Sequence, residues 1–197
     1  MSNSLRDKVV VVTGASSGIG RSIALESASR GATVILMARH QDKLEEIANE
    51  ARQLSGNEVY VFPTDISKAD QIDRAFNEIV SHVDHIDYLV NAAGFGVFKE
   101  FLETSPQVVT EMFQTNVLGL MYFTRLVARV MIDQKQGQII NFGSIAGIVP
   151  TTKTAAYSAT KAAIIQFSNV LRLELKPFGV KVMTVNPGPV YTNFFNI

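Results

Sequence analysis

The 197-residue chain contains no cysteine. Disulfide bracing and thiol chemistry are thereby excluded, and a reducing compartment suits such a chain. Neither charge is in excess: Lys and Arg number 18, Asp and Glu number 18. No overall field therefore recruits nucleic acid or an anionic membrane. Long apolar runs are missing too. The polar residues 1–8 lead into an apolar run of four, whereas a secretory signal needs about 7–15. The greasiest stretch, residues 117–132, is broken by Arg125 and Arg129 and makes a poor membrane span. No linker, repeat or low-complexity tract appears. With apolar residues at 47% and charged residues at 18%, the composition is that of one globular domain, expected in the cytoplasm.

What is present is organised around residues 9–20. Four valines in a row, Val9 to Val12, read as a strand buried on both faces, as in a parallel sheet. A glycine-rich turn follows, then a helical segment over 21–30. Such a strand–turn–helix brings unpaired backbone N–H groups and the positive end of a helix dipole to one point, which suits a pyrophosphate. Gly14, Gly18 and Gly20 allow the sharp turn and close approach. Further strands are expected at 32–37, 58–62, 87–91, 138–142 and 180–185, alternating with helices. The helix over 41–54 carries one apolar face, Ser67 reads as the N-cap of the next, and Ser105-Pro106 opens a long helical stretch. Between Met112 and Ile132 apolar residues occupy more than one face, which predicts a homodimer or homotetramer. Alternating units of this length predict an α/β fold, a doubly wound Rossmann-like parallel sheet in one domain. Ligands then bind beyond the carboxyl ends of the strands.

Polar residues gather at those ends. The second strand runs into Ala38-Arg39-His40, with no acidic residue to hold a ribose 2′-hydroxyl; Arg39 would welcome a 2′-phosphate, or is an ordinary surface arginine. The third ends at Asp65, beside Ile66, positioned to accept from an adenine amino group or to shape a turn. The fourth ends at Asn91, followed by the small residues Ala92, Ala93 and Gly94. The fifth ends at Gly143-Ser144, and Tyr157 and Lys161 follow, four apart on one helical face. A free phenol titrates near 10, leaving ~0.1% ionised at neutral pH. An ammonium about 4 Å away lowers that by at most roughly three pH units, enough to make the phenol an acid or base. A chance pairing on an exposed face is the alternative. His82 and His85, with Asp84 and Asp87 nearby, sit at the opposite end of the sheet and read as a solvated turn, so no metal site is expected.

Taken together, these motifs resemble the compact form of the short-chain dehydrogenase/reductase family, from the first strand to Thr192. Thr13-Gly14-Ala15-Ser16-Ser17-Gly18-Ile19-Gly20 matches the family's T-G-x-x-x-G-x-G cofactor turn. Asn91-Ala92-Ala93-Gly94 is similar to its N-N-A-G element, with Ala92 in place of the second Asn. Ser144 and Tyr157-x-x-x-Lys161 match its catalytic serine and Y-x-x-x-K, and Asn116 falls where the family has its fourth catalytic residue. Pro187-Gly188-Pro189-Val190-Tyr191-Thr192 is similar to its P-G-x-x-x-T element beside the nicotinamide. The resemblance implies hydride exchange between NADP(H) and a small-molecule carbonyl or alcohol. Tyr157 would be the general acid/base, Lys161 would lower the phenol's pKa and bind the nicotinamide ribose, Ser144 would orient the substrate oxygen, and Asn116 would hold a water linked to Lys161. The cofactor turn, Arg39, Asp65, Ile66, Asn91, Ala92, Gly94, Pro187, Gly188, Val190 and Thr192 would complete the cofactor site. Phe95, Val97, Phe98, Ile145, Ile148, Val149 and Tyr191 would line an apolar mouth. Members of the family usually continue into another helix and a seventh strand, so a truncated chain is expected, its last strand left as an apolar edge. A non-catalytic NADP(H)-binding regulator of the same fold is the alternative function.

Overall fold

The computed structural model describes residues 4–189. Six parallel strands alternate with helices: β1 (Val9–Thr13), β2 (Thr33–Ala38), β3 (Val59–Pro63), β4 (Tyr88–Asn91), β5 (Gly137–Phe142) and β6 (Val180–Val185). Their order in the sheet is β3-β2-β1-β4-β5-β6. The strand order reverses between β1 and β4, and a sheet of this kind opens its ligand crevice at that point.

Strand alternation divides the valines of β1 between two cores. Val9 and Val11 join Ile35, Leu89, Phe123 and Ile139 on one face. Val10 and Val12 join Ala24, Leu36, Leu44 and Ala48 on the other. The second core is covered by α1 (Gly18–Ser29) and α2 (Gln41–Ser55), the first by α3 (Ala69–His82), α5 (Leu120–Gln134) and α6 (Ala155–Leu175). Burial on both faces is what the unbroken apolar strands required. At the edge, β6 keeps Val180 and Val182 buried while Lys181 and Met183 are exposed.

One local expectation needs correction. Ser67 is not the cap of α3: the helix starts at Ala69, with Lys68 in the cap position. The Ser67 hydroxyl instead donates to Asp65 Oδ1 (2.7 Å), which also accepts from the Ser67 N–H (2.9 Å), a local turn that competes with capping. The long helical stretch expected after Ser105-Pro106 is present, running without a break from Pro106 to Gln134. Ser105 does cap α4 (Pro106–Phe113), accepting from the Val108 N–H. A π-helical turn (Gln114–Gly119) then joins α4 to α5. A Cβ on Gly119 would overlap the Ile66 carbonyl, so this wide turn lies directly on the β3–α3 loop. Part of the second apolar face of this stretch packs within the chain, where Val117 and Leu120 meet Ile164 of α6. Leu118 and Met121 stay exposed.

Candidate active site

The carboxyl ends of the strands open into one cavity of about 670 Å³. At one end lies the turn between β1 and α1. Gly14 has φ +69°, and a Cβ there would lie 2.7 Å from Ala93 Cα; a Cβ on Gly20 would overlap the Gly14 carbonyl. Only glycine lets the strand, the helix and the β4 loop approach this closely. The Ser17 side chain makes no capping hydrogen bond and α1 has no acid in its first turn. The amino end of the helix thus presents backbone donors and a positive dipole to the cavity, satisfied by no side chain of its own. Ser16, Ser17, Gly18 and Ile19 line it here, together with Arg39, Asp65 and Ile66. Arg39 is exposed and, among the described residues, forms no hydrogen bond or ion pair.

Ala92, Gly94, Pro187 and Gly188 line the middle of the cavity, while Val190 and Thr192 lie outside the described residues. Asn91 is not among the residues that line the cavity. Its side chain is buried beneath the cavity floor, donating to Thr124 Oγ1 and to Asn141 Oδ1, both at 2.9 Å. Its register partner Asn141 on β5 stands directly beside it, and an inward side chain at a strand end meets its neighbour rather than a ligand. Asn116 likewise does not line the cavity. Its amide grips both backbone groups of Phe95, accepting from the N–H (3.0 Å) and donating to the carbonyl (2.8 Å), and donates to Thr160 Oγ1 (3.1 Å). The π-helical turn aims it there. This side chain clamps the loop after β4.

At the far end Tyr157, Lys161 and Ser144 converge, each less than a tenth exposed. The Tyr157 ring packs against Phe98 with centroids 5.3 Å apart, and Gly96 leaves room for it: a Cβ there would lie 2.9 Å from Tyr157 Cδ2. Lys161 Nζ lies 5.8 Å from the centre of that ring and donates to the Phe142 carbonyl at 2.9 Å. The expected lowering of the phenol by the ammonium is not what this geometry produces. Burial pushes Tyr157 above its ordinary value, and a hydrogen bond with the Ser144 side chain pulls it only part of the way back. Burial also pushes Lys161 down, from 10.5 to about 8. At neutral pH the site therefore holds a protonated phenol beside a lysine that is largely in its charged form.

Phe95, Phe98, Ile145 and Val149 line the mouth; Val97 and Ile148 do not, and Tyr191 lies outside the described residues. Thr151 and Thr154 line it as well. Neither was singled out from the sequence, since hydroxyl residues in a loop carry no periodic signal. The Phe142 carbonyl was equally invisible, being main chain. Elsewhere, His82 Nδ1 is 2.8 Å from the Glu78 carbonyl and His85 pairs with Asp87 at 3.1 Å. Among the described residues no cluster of His, Cys, Asp or Glu has the arrangement of a metal site, and no helix is long and apolar enough to cross a membrane.

Known proteins share this architecture. A family model described as short chain dehydrogenase matches residues 8–196. An uncharacterized oxidoreductase of Staphylococcus aureus is 36% identical over 188 residues, spanning 95% of this chain and 80% of that protein. An alcohol dehydrogenase from the archaeon Thermococcus sibiricus, solved with 5-hydroxy-NADP, superposes with a TM-score of 0.90 at 32% identity, over 95% of this chain and 78% of that one. A xylitol dehydrogenase solved with NAD+ also superposes at 0.90, with 29% identity, over 95% and 73%.

Proposed function

The chain belongs to the short-chain dehydrogenase family, an oxidoreductase by that membership, and from that premise we propose that it reduces an uncharged, apolar carbonyl compound with NADPH. The observation that carries this proposal is the convergence of Ser144, Tyr157 and Lys161 at one end of a cavity whose other end is a glycine cradle at a helix amino terminus.

The cavity fits a dinucleotide in chemistry as well as size. The backbone donors of residues 16–20 would take the pyrophosphate. Arg39, exposed at the rim with no acidic residue beside it in the chain, would pair with the 2′-phosphate. Asp65 and Ile66 would border the adenine, Ala92 and Gly94 the riboses, and Pro187 and Gly188 the nicotinamide. Val190 and Thr192 are proposed for the same end. When bound, the dihydronicotinamide supplies the hydride.

The protein's own groups manage the oxygen. Ser144 donates to the carbonyl oxygen and Tyr157 gives it a proton, a step suited to a phenol that burial keeps protonated. Lys161, largely charged at neutral pH and fixed by the Phe142 carbonyl, stabilises the tyrosinate that results. Apart from Lys161, the lining residues at this end carry no charge, and Phe95, Phe98, Ile145 and Val149 favour a hydrophobic substrate. Leu118 and Met121, with Val170 and Leu173 of α6, are exposed apolar side chains that would suit the interface of a homodimer or homotetramer. A cytoplasmic setting suits the cysteine-free chain.

An NADPH-consumption screen over ketones, aldehydes and acyl derivatives tests the proposal. Oxidation should be fastest with apolar carbonyls and with NADPH over NADH. NADPH binding without turnover of any carbonyl would instead favour a non-catalytic regulator.

A further inference from the structure

We propose that Asn141 and Ser168, neither of which lines the cavity, are positioning residues that set the register of α6 on β5 and thereby hold Tyr157 and Lys161 in place. The inference deepens the function proposed above and rests on it. Three side-chain hydrogen bonds tie β5 and the turn after it to α6. Ser144 meets the Tyr157 phenol, Lys161 Nζ donates to the Phe142 carbonyl, and Asn141 Nδ2 donates to the Ser168 hydroxyl at 2.9 Å. The first two use groups that face the cavity and are engaged by the reaction. The third is sealed from solvent, with Asn141 and Ser168 both at 0% exposure.

The spacing of these ties is what makes them a register. Asn141 and Phe142 are adjacent on β5; Lys161 and Ser168 lie two turns apart on one face of α6, with buried Ile164 between them. The Ser168 hydroxyl acts in both senses, accepting from Asn141 and donating to the Ile164 carbonyl at 2.7 Å. Asn141 Oδ1 in turn accepts from Asn91 Nδ2, which also donates to Thr124 of α5. A shift of α6 would strand a buried amide donor, whereas purely apolar packing tolerates slip. Among the described residues Asn91 Oδ1 is buried without a hydrogen-bond partner.

Ser168→Val and Ser168→Thr have nearly equal volume and differ in the hydroxyl. In the full chain without added ligand, hydrogen-exchange mass spectrometry should find residues 155–162 exchanging about tenfold faster in Ser168→Val, with β1 and α1 unchanged and Ser168→Thr near wild type. Ser168→Ala, which cannot overpack, should loosen the same segment. With NADPH and a carbonyl turned over by the wild type, kcat should fall about tenfold in Ser168→Val while the NADPH Kd stays within about threefold. Equal effects of Thr and Val, faster exchange spread over the whole molecule, or an unaltered segment in Ser168→Ala would each overturn the proposal. Absence of any turnover by the wild type would defeat the proposed reaction, and the exchange experiment would still decide the role of Ser168.

Discussion

Removing the charge of Lys161 should make the protein more stable. Burial lowers this lysine from 10.5 to about 8, and at about 1.4 kcal/mol per pH unit its protonated form destabilises the native state by ~3 kcal/mol. Lys161→Met removes that charge and keeps most of the stem. The variant also leaves the Phe142 carbonyl without its donor, but Phe142 lines the cavity and water can replace the bond, so about 1 kcal/mol is given back. The net gain at pH 7 is ~2 kcal/mol, a rise in Tm of about 4–8 °C for a chain of this size. The pH dependence carries the sign. Below pH 8 both folded and unfolded wild type keep the proton and the penalty is complete. Between 8 and 10.5 the folded protein sheds it while the unfolded chain retains it, so wild-type stability rises and the gap closes. Other lysines titrate alike in both proteins and drop out of the difference. Thermal melts of the two proteins across this range make the comparison, and turnover should be lost in the variant. A variant that melts no higher than wild type at pH 7, or an advantage that does not shrink above pH 8, would refute the reasoning.

Three other substitutions probe separate parts of the account. Arg39→Asp should weaken NADPH binding by about 10–100-fold and NADH binding by no more than about threefold, measured by fluorescence titration; parallel losses would remove the arginine from phosphate recognition. Gly14→Ala places a Cβ 2.7 Å from Ala93 Cα at φ +69°, so it should lower stability by about 1–3 kcal/mol and abolish NADPH binding. Light scattering should give a mass that is a multiple of 21.6 kDa, reduced toward the monomer by Leu173→Glu on the exposed face of α6. A wild-type protein that is monomeric at micromolar concentration would contradict the proposed interface.

Most of the fold was legible in the sequence because a parallel sheet buries both faces of each strand and so marks it as an apolar run. β6 spans the residues expected, and the other five strands differ by no more than a residue at either end. Capping by Ser105 was legible because Ser-Pro at a helix start has one common use. Capping by Ser67 was misread because Asp65, two residues earlier, competes for the same hydroxyl. The π-helical turn left only indirect traces, a polar Asn116 and a Gly119 in an apolar helix, and its cause lies in the distant Ile66 carbonyl. In the site, spacing marked the glycine turn and the Tyr157–Lys161 pair, and the family resemblance supplied Ser144, Pro187 and Gly188, all of which line the cavity. The inward turn of Asn91 and the engagement of Asn116 with Phe95 depend on neighbours brought in by the fold. The direction of the Tyr157 shift was missed for a related reason: sequence spacing gives the distance to a charge but says nothing of the burial that outweighs it.

The most direct measurement compares Tyr157→Phe with wild type in NADPH consumption on the best carbonyl from the screen, alongside NADPH affinity. Loss of the phenolic proton donor should cut kcat by about 10²–10⁴-fold while leaving the Kd for NADPH within about threefold. Turnover equal to wild type would contradict the assignment of Tyr157 as the acid on which the account depends.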